Sequence, residues 1–273
     1  REWINVRNSA RVFSLVRKQP SIALVTARVF CFCLPAAIVA SDGTRYTVHG
    51  SPSSADKIGV LVLAHGGSSR WNDMVRDAVR QAKLDLPVEV AFGMGMHAHE
   101  VRVFQQAADR LERKDVSRIV IVPLLISSHS EVFRQFEYLF GLRPDAAWPE
   151  AGAPLTLEVP VVIGRPLDDD PVVAEILLER SRALSRRPED EIVILVAHGP
   201  NDETDNQRWL DQMVPLAQQL QEAGEFRQVL SLTMRDDAPK AVHERATDQL
   251  REAVRAAREQ GRVLVVPLLL AEG

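Results

Sequence analysis

Cysteine is almost missing from this sequence: only Cys31 and Cys33 occur, and none follows in the rest of the chain. Beyond residue 33 neither a disulfide framework nor a thiolate zinc site can exist. Any metal bound there must rely on imidazole and carboxylate. Positive charge is not in excess either, with 33 Lys+Arg against 37 Asp+Glu and a formal net charge of −4. No stretch gathers basic residues on one face, so the footprint of a nucleic-acid binder is absent. No apolar run reaches the roughly 20 residues of a membrane-spanning helix, and stable membrane insertion is not expected. Glycine (14) and proline (16) stand at ordinary levels, which excludes collagen-like and disordered architectures. A G-x-S-x-G nucleophile elbow is lacking too, although His-Gly-Gly after a strand is able to form an oxyanion hole, and this removes the serine-hydrolase reading. Both His-Gly steps follow alanine, Ala64 and Ala197, where a histidine phosphatase carries arginine.

What is present is 273 residues with 46% hydrophobic content, enough for one large domain or two of about 130 residues. The chain opens on Arg1 and stops at Gly273 in an apolar run, the pattern expected of a sequence clipped at both ends. Residues 29–40 (VFCFCLPAAIVA) form a short apolar stretch behind Arg17, Lys18 and Arg28, with small Ala40 before a polar turn. This resembles a secretory signal; the plainer reading is upstream sequence foreign to the mature protein. Residues 41–57 are polar and rich in serine and read as a linker.

From residue 58 the pattern changes. IGVLVLAHG (58–66) is a continuous apolar run ending in His-Gly, as in a strand buried on both faces. Helical spacing follows at Trp71, Met74, Val75, Ala78, Val79 and Ala82, then a strand at 88–94 and a helix through Val101, Phe104, Ala108 and Leu111. A third strand (118–126), a helix through Val132, Phe133, Phe136, Leu139 and Phe140, a Pro-rich loop (143–156), a fourth strand (157–164) and a helix through Val172, Val173, Ile176 and Leu177 complete the unit. Alternation of this kind implies a parallel sheet covered by helices. The unit then begins again. EIVILVAHG (191–199) repeats the first strand with His198 in the place of His65, and GRVLVVPLLL (261–270) repeats the third with Pro267 in the place of Pro123. The chain therefore divides into a leader and linker (1–57), an N-terminal lobe (58–187) and a C-terminal lobe (188–273). Ligands of open α/β sheets bind at the carboxyl ends of the strands.

The chemistry-bearing residues gather there. Strand one delivers His65; strand two leads into Met96-His97-Ala98-His99-Glu100; strand three leads into Ser127-Ser128-His129-Ser130-Glu131. Of the seven histidines, five (His65, His97, His99, His129, His198) follow strand ends. Imidazoles and carboxylates converging from separate strands suit a divalent first-row metal, and neutral imidazole also serves as an acid or base near neutral pH. Plainer roles stand beside these. His65 can bond backbone in its turn, one of His97 and His99 can be a solvated helix residue, and Glu131 can simply complement a helix dipole. Asp168-Asp169-Asp170 before Pro171 reads as a helix N-cap rather than a metal site.

Taken in order, VLVLAHGGSS, VEVAFGM, IVIVPLLISSHSEV and VPVVIGRPLDDDPVVAEIL resemble the sirohydrochlorin chelatases of CbiX/SirB type, in the class II chelatase superfamily. The resemblance covers residues 58–273. It implies two tandem chelatase-like α/β lobes, each a parallel sheet flanked by helices, with a cleft between them. It also implies insertion of Co²⁺ or Fe²⁺, or Ni²⁺ in some members, into a sirohydrochlorin-type tetrapyrrole, in cobalamin or siroheme biosynthesis. Neither ATP nor an organic cofactor takes part; the divalent metal is a substrate. By position His65 matches the family's metal-binding histidine. His97 or His99 stands where the family carries an acidic residue, and His129 or Glu131 supplies the third ligand. The resemblance thus makes His65, His129 and Glu131 catalytic and adds His97 and His99 as metal ligands. The S-x-H-x-E form of the third turn is also similar to protoporphyrin ferrochelatases, so the tetrapyrrole stays open.

In the second lobe His198 is kept, but the strand-two turn reads Arg235-Asp236-Asp237, and the working site is expected in the first lobe. The alternative is a non-catalytic protein that binds metal or tetrapyrrole in the same cleft. Arg70, Arg102 and Arg134 lie where substrate carboxylates would meet them, or else solvate helix faces. Two fused lobes imitate a dimer of a single-lobe chelatase, which points to a monomer. Location is cytoplasmic by family resemblance and periplasmic or exported if residues 28–40 act as a signal.

Overall fold

The computed structural model describes residues 57–270, together with a two-residue antiparallel strand pair, Ile38–Val39 with Arg45–Tyr46. Apart from that pair, the signal-like segment, both cysteines and the linker lie outside the described residues, as do residues 271–273.

Four strands make the first sheet: β1 (Ile58–Ala64), β2 (Val88–Phe92), β3 (Arg118–Leu124) and β4 (Val161–Ile163), all parallel, in the order β2-β1-β3-β4. β1 is central, and Val60 to Ala64 are fully buried, which explains its unbroken apolar run. Helices α1 (Ser69–Gln81), α2 (Ala98–Glu112) and α3 (Glu131–Leu139) cover it. One face packs Leu61, Leu63, Ile119 and Ile121 against α2 and α3, where Phe104 and Phe136 meet edge to face at 5.6 Å. Val60 and Val62 lie under Val79 and Ala82 on the other face. β4 is shorter than its apolar pattern predicts. Pro160 has no N–H to give a ladder, and only its carbonyl is used, by Ile119 N at 3.0 Å.

The second sheet has β5 (Glu191–Ala197), β6 (Gln228–Thr233) and β7 (Arg262–Leu268), parallel, in the order β6-β5-β7. Its pairing keeps the first sheet's register: Leu63 stands opposite Pro123, and Val196 opposite Pro267. Helices α5 (Glu203–Gly224) and α6 (Lys240–Gln260) lie on opposite faces, α5 over Val193 and Leu195, α6 over Ile192 and Ile194. The helix after β4, α4 (Pro171–Leu184), packs on this second sheet. Its Val172, Val173 and Leu177 join the core with Trp209, Met213, Leu264 and Val266, and Arg180 Nη1 donates to Pro267 O at 3.0 Å.

The lobes also exchange single side chains. Ile126, two residues past β3, packs into the second core; Leu270, two residues past β7, packs beside Ala64, Trp71 and Leu124 of the first. The carboxyl ends of β3 and β7 are thus joined by apolar contact, and the turns that follow them come from both lobes. Among the described residues no helix is long and apolar enough to cross a membrane.

Candidate functional site

His65 is the first residue beyond β1 and is exposed. Its carbonyl accepts from Trp71 Nε1 at 3.0 Å, while its Nδ1 lies 2.6 Å from Gly66 O. In a neutral ring that contact places the proton on Nδ1 and leaves the lone pair on Nε2, as in a metal-binding histidine whose other nitrogen donates to a backbone carbonyl. No described side chain pairs with Nε2. Gly67 makes room for this: a Cβ there would stand 2.8 Å from Trp71 Cδ1. Ser68 caps α1, its hydroxyl accepting from Trp71 N at 3.2 Å.

The turn after β2 is held from inside. Gly93 and Gly95 take positive φ (142° and 75°), a backbone for which glycine is suited. Glu100 then reaches back: one oxygen accepts from Met94 N (3.2 Å), the other from Met96 N (2.9 Å) and His97 N (3.2 Å). The acidic residue of this turn therefore serves the backbone. His97 is the N-cap of α2, and the exposed rings of His97 and His99 stack at 5.7 Å.

After β3 comes Ser127-Ser128-His129-Ser130-Glu131. Ser130 caps α3, so Glu131 is the first helical residue. His129 N donates to Ser127 Oγ at 3.1 Å. Burial pushes the half-buried His129 imidazole below its ordinary pKa; Arg208 and Arg134 act the same way, while Asp168 and Asp205 oppose. At neutral pH the ring is an uncharged ligand or base. Glu131 lies against the second lobe, its Oε2 3.4 Å from Asn201 Nδ2. Arg134 pairs with Asp205 on α5, so this arginine is engaged between lobes rather than extended toward solvent.

Sequence reasoning missed the residues that hold this turn. Asp168 is buried in a left-handed conformation (φ 45°), and its Oδ1 accepts from Ser128 N at 2.7 Å. Gln212, on α5, bonds Ser127, Ser128 and Asp168. The N-cap expected of the aspartate run is Asp170 alone, accepting from Val172 N at 2.9 Å. Nothing in the spacing of a helix interior marks Gln212, because its partners lie 44 to 85 residues away.

The second lobe repeats the first turn and changes its chemistry. His198 Nδ1 stands 2.9 Å from Gly199 O, as in His65, but its Nε2 faces Asp237 Oδ2 at 3.2 Å. Arg235 is buried beneath this loop and donates to Pro200 O (3.0 Å), Asn201 O (2.6 Å) and Glu203 (2.5 Å). A fixed guanidinium is a poor neighbour for a cation. Among the described residues no three His, Cys, Asp or Glu side chains form a group able to hold a metal ion.

Residues 59–184 match the CbiX family profile. No curated protein matches the sequence. Among solved structures, one similar chain is SirB from Bacillus subtilis with Fe³⁺, at 15% identity and TM-score 0.49, covering 77% of this chain and 87% of that one. Another is a multi-domain Deinococcus radiodurans protein described as structurally similar to chelatases with two additional novel domains. It shows 17% identity and TM-score 0.43 over 77% of this chain, which spans about half (51%) of its length.

Proposed function

We propose that this chain, whose residues 59–184 match the CbiX family profile, inserts Co²⁺ or Fe²⁺ into a sirohydrochlorin-type tetrapyrrole. The family match supports the coarser statement, a metal chelatase acting on a tetrapyrrole. The finer one rests on the first lobe's strand ends. One observation carries it: His65 has its Nδ1 tied to Gly66 O and its Nε2 without a described partner, while its counterpart His198 is paired with Asp237.

Metallation brings M²⁺ to the macrocycle face and removes two pyrrole protons. The metal must be held through few ligands so that it can leave, with open positions facing the substrate. His65 Nε2 and His129 supply neutral nitrogen ligands. Glu131 and one of His97 and His99 share metal contact with acceptance of the pyrrole protons; no three of these side chains converge as they stand, so the incoming ion itself must draw them together. Burial holds the His129 pKa below its ordinary value despite the opposing charges of Asp168 and Asp205, which favours the uncharged ring at neutral pH. No organic cofactor is needed for this exchange.

The test is absorbance-monitored insertion of Co²⁺ or Fe²⁺ into sirohydrochlorin by the purified chain, with His65→Ala and His129→Ala as controls. Insertion well above the uncatalysed rate, lost in both variants, supports the reading. Metal binding with insertion never above the uncatalysed rate overturns it and leaves a binding protein.

A further inference from the structure

We infer that Gln212, a residue of the second lobe, is a positioning residue for the metal site of the first; this rests on the chelatase reading of His129 and Glu131. Both ends of its carboxamide are engaged in the turn that carries them. Gln212 Oε1 accepts from the buried Ser127 hydroxyl at 2.6 Å. With its proton committed there, Ser127 Oγ turns a lone pair to the N–H of His129 at 3.1 Å. Gln212 Nε2 donates to Ser128 Oγ (3.1 Å) and Asp168 Oδ1 (2.9 Å), and the same Asp168 oxygen takes Ser128 N–H at 2.7 Å.

Every polar group of Ser127 and Ser128 that these bonds reach is thereby referred to one side chain of α5. Asp168 adopts its left-handed backbone to present that oxygen, with Arg165 holding Oδ2 at 3.1 Å. Strained, buried polar residues concentrate where a site must be held in place. Neighbouring contacts act in the same sense: Asp205 with Arg134 at one helical turn of α3, and Asn201 with Glu131. The second lobe therefore braces the catalytic turn of the first, and a first lobe alone would carry its ligands on a looser turn. Leucine at 212 fills the volume without either bond. Glutamate keeps the acceptor for Ser127 and sets a second carboxylate against Asp168.

The experiment uses the full chain with Gln212→Leu, Gln212→Glu and, as a stability control, Met213→Ala, a buried neighbour on the same helix that faces the second core. Co²⁺ affinity is measured by direct titration, and kcat and KM by insertion into sirohydrochlorin, with thermal midpoints recorded for each protein. Both Gln212 variants are expected to weaken Co²⁺ binding and lower kcat about tenfold, with tetrapyrrole KM within about twofold. Met213→Ala is expected to lower the midpoint and leave Co²⁺ affinity and kcat unchanged. Wild-type Co²⁺ affinity in both Gln212 variants overturns the inference, as does a loss in Met213→Ala equal to theirs. A wild-type chain that binds no Co²⁺ overturns it as well. If the wild type binds Co²⁺ but inserts none, the chelatase reading falls, and the affinities of the Gln212 variants still decide the positioning role.

Discussion

Glu100 offers the sharpest test of how the histidine-bearing turns are built. Its carboxylate takes three backbone N–H groups, from Met94 at 3.2 Å, Met96 at 2.9 Å and His97 at 3.2 Å, at the third position of α2 where the helix dipole also favours negative charge. A hydrogen bond to a charged group contributes about 1.5–3 kcal/mol when buried, but these donors are only partly buried and water replaces some of what is lost. Glu100→Ala is therefore expected to cost about 3 kcal/mol. Glu100→Gln keeps one oxygen for Met96 and His97 and turns an amide donor toward the N–H of Met94, for about 1–2 kcal/mol. At about 2–4 °C per kcal/mol for a chain of this order, the thermal midpoint falls by about 6–12 °C in the alanine variant and about half that in the glutamine variant. Hydrogen exchange at Met94, Met96 and His97 should accelerate in the same order. Were Glu100 instead a metal ligand, its removal would weaken Co²⁺ binding and leave the midpoint alone. A Glu100→Ala midpoint within about 2 °C of wild type refutes the structural role.

Three further outcomes follow from neighbouring geometry. Gly67→Ala places a Cβ 2.8 Å from Trp71 Cδ1; the indole must move, its bond to His65 O is lost, and about 1–3 kcal/mol of stability should go with it, read by denaturant unfolding. Asp205→Ala removes a negative charge that holds the His129 pKa up against burial, so NMR titration should show that histidine deprotonating at still lower pH; an upward shift would contradict the placement. Burial raises the Glu191 carboxyl, but bonds from Ser185, the Arg186 and Arg187 backbone and Arg262 outweigh it and hold the pKa below the ordinary glutamate value. A group depressed on folding stabilises above its unfolded pKa and loses that contribution as pH falls through the folded value. Glu191→Gln should accordingly flatten the acid limb of the stability curve below about pH 4.5.

How much of this was legible in the sequence depends on the range of the contacts involved. The strands were readable because β1 and β5 are buried on both faces and so nearly unbroken in apolar residues, with His65 and His198 at their carboxyl ends, while β3 and β7 bury alternate residues yet repeat the same apolar text around Pro123 and Pro267. The shared register of Leu63 with Pro123 and Val196 with Pro267 follows the same repeated text. Helix α4 was recognisable as a helix, but its apolar stripe does not say which sheet it covers, and it covers the second. Glu100 stood in the sequence only as the end of the polar run Met96 to Glu100; only the fold shows its oxygens turned to the backbone. Asp168 and Gln212 stayed silent because aspartate before proline and glutamine in a helix have ordinary local explanations, and their function is made by contacts across the lobes.

The proposed placement of the metal, at the strand ends of the first lobe on His65 and His129, is open to direct observation. Crystals of the full chain soaked with Co²⁺ and measured at the cobalt absorption edge would locate the ion by its anomalous signal. A leading peak is expected within about 2.0–2.2 Å of a ring nitrogen of both His65 and His129, ordinary lengths for imidazole on a divalent first-row ion. A leading peak on His198 and Asp237 of the second lobe, or on neither pair, would contradict it.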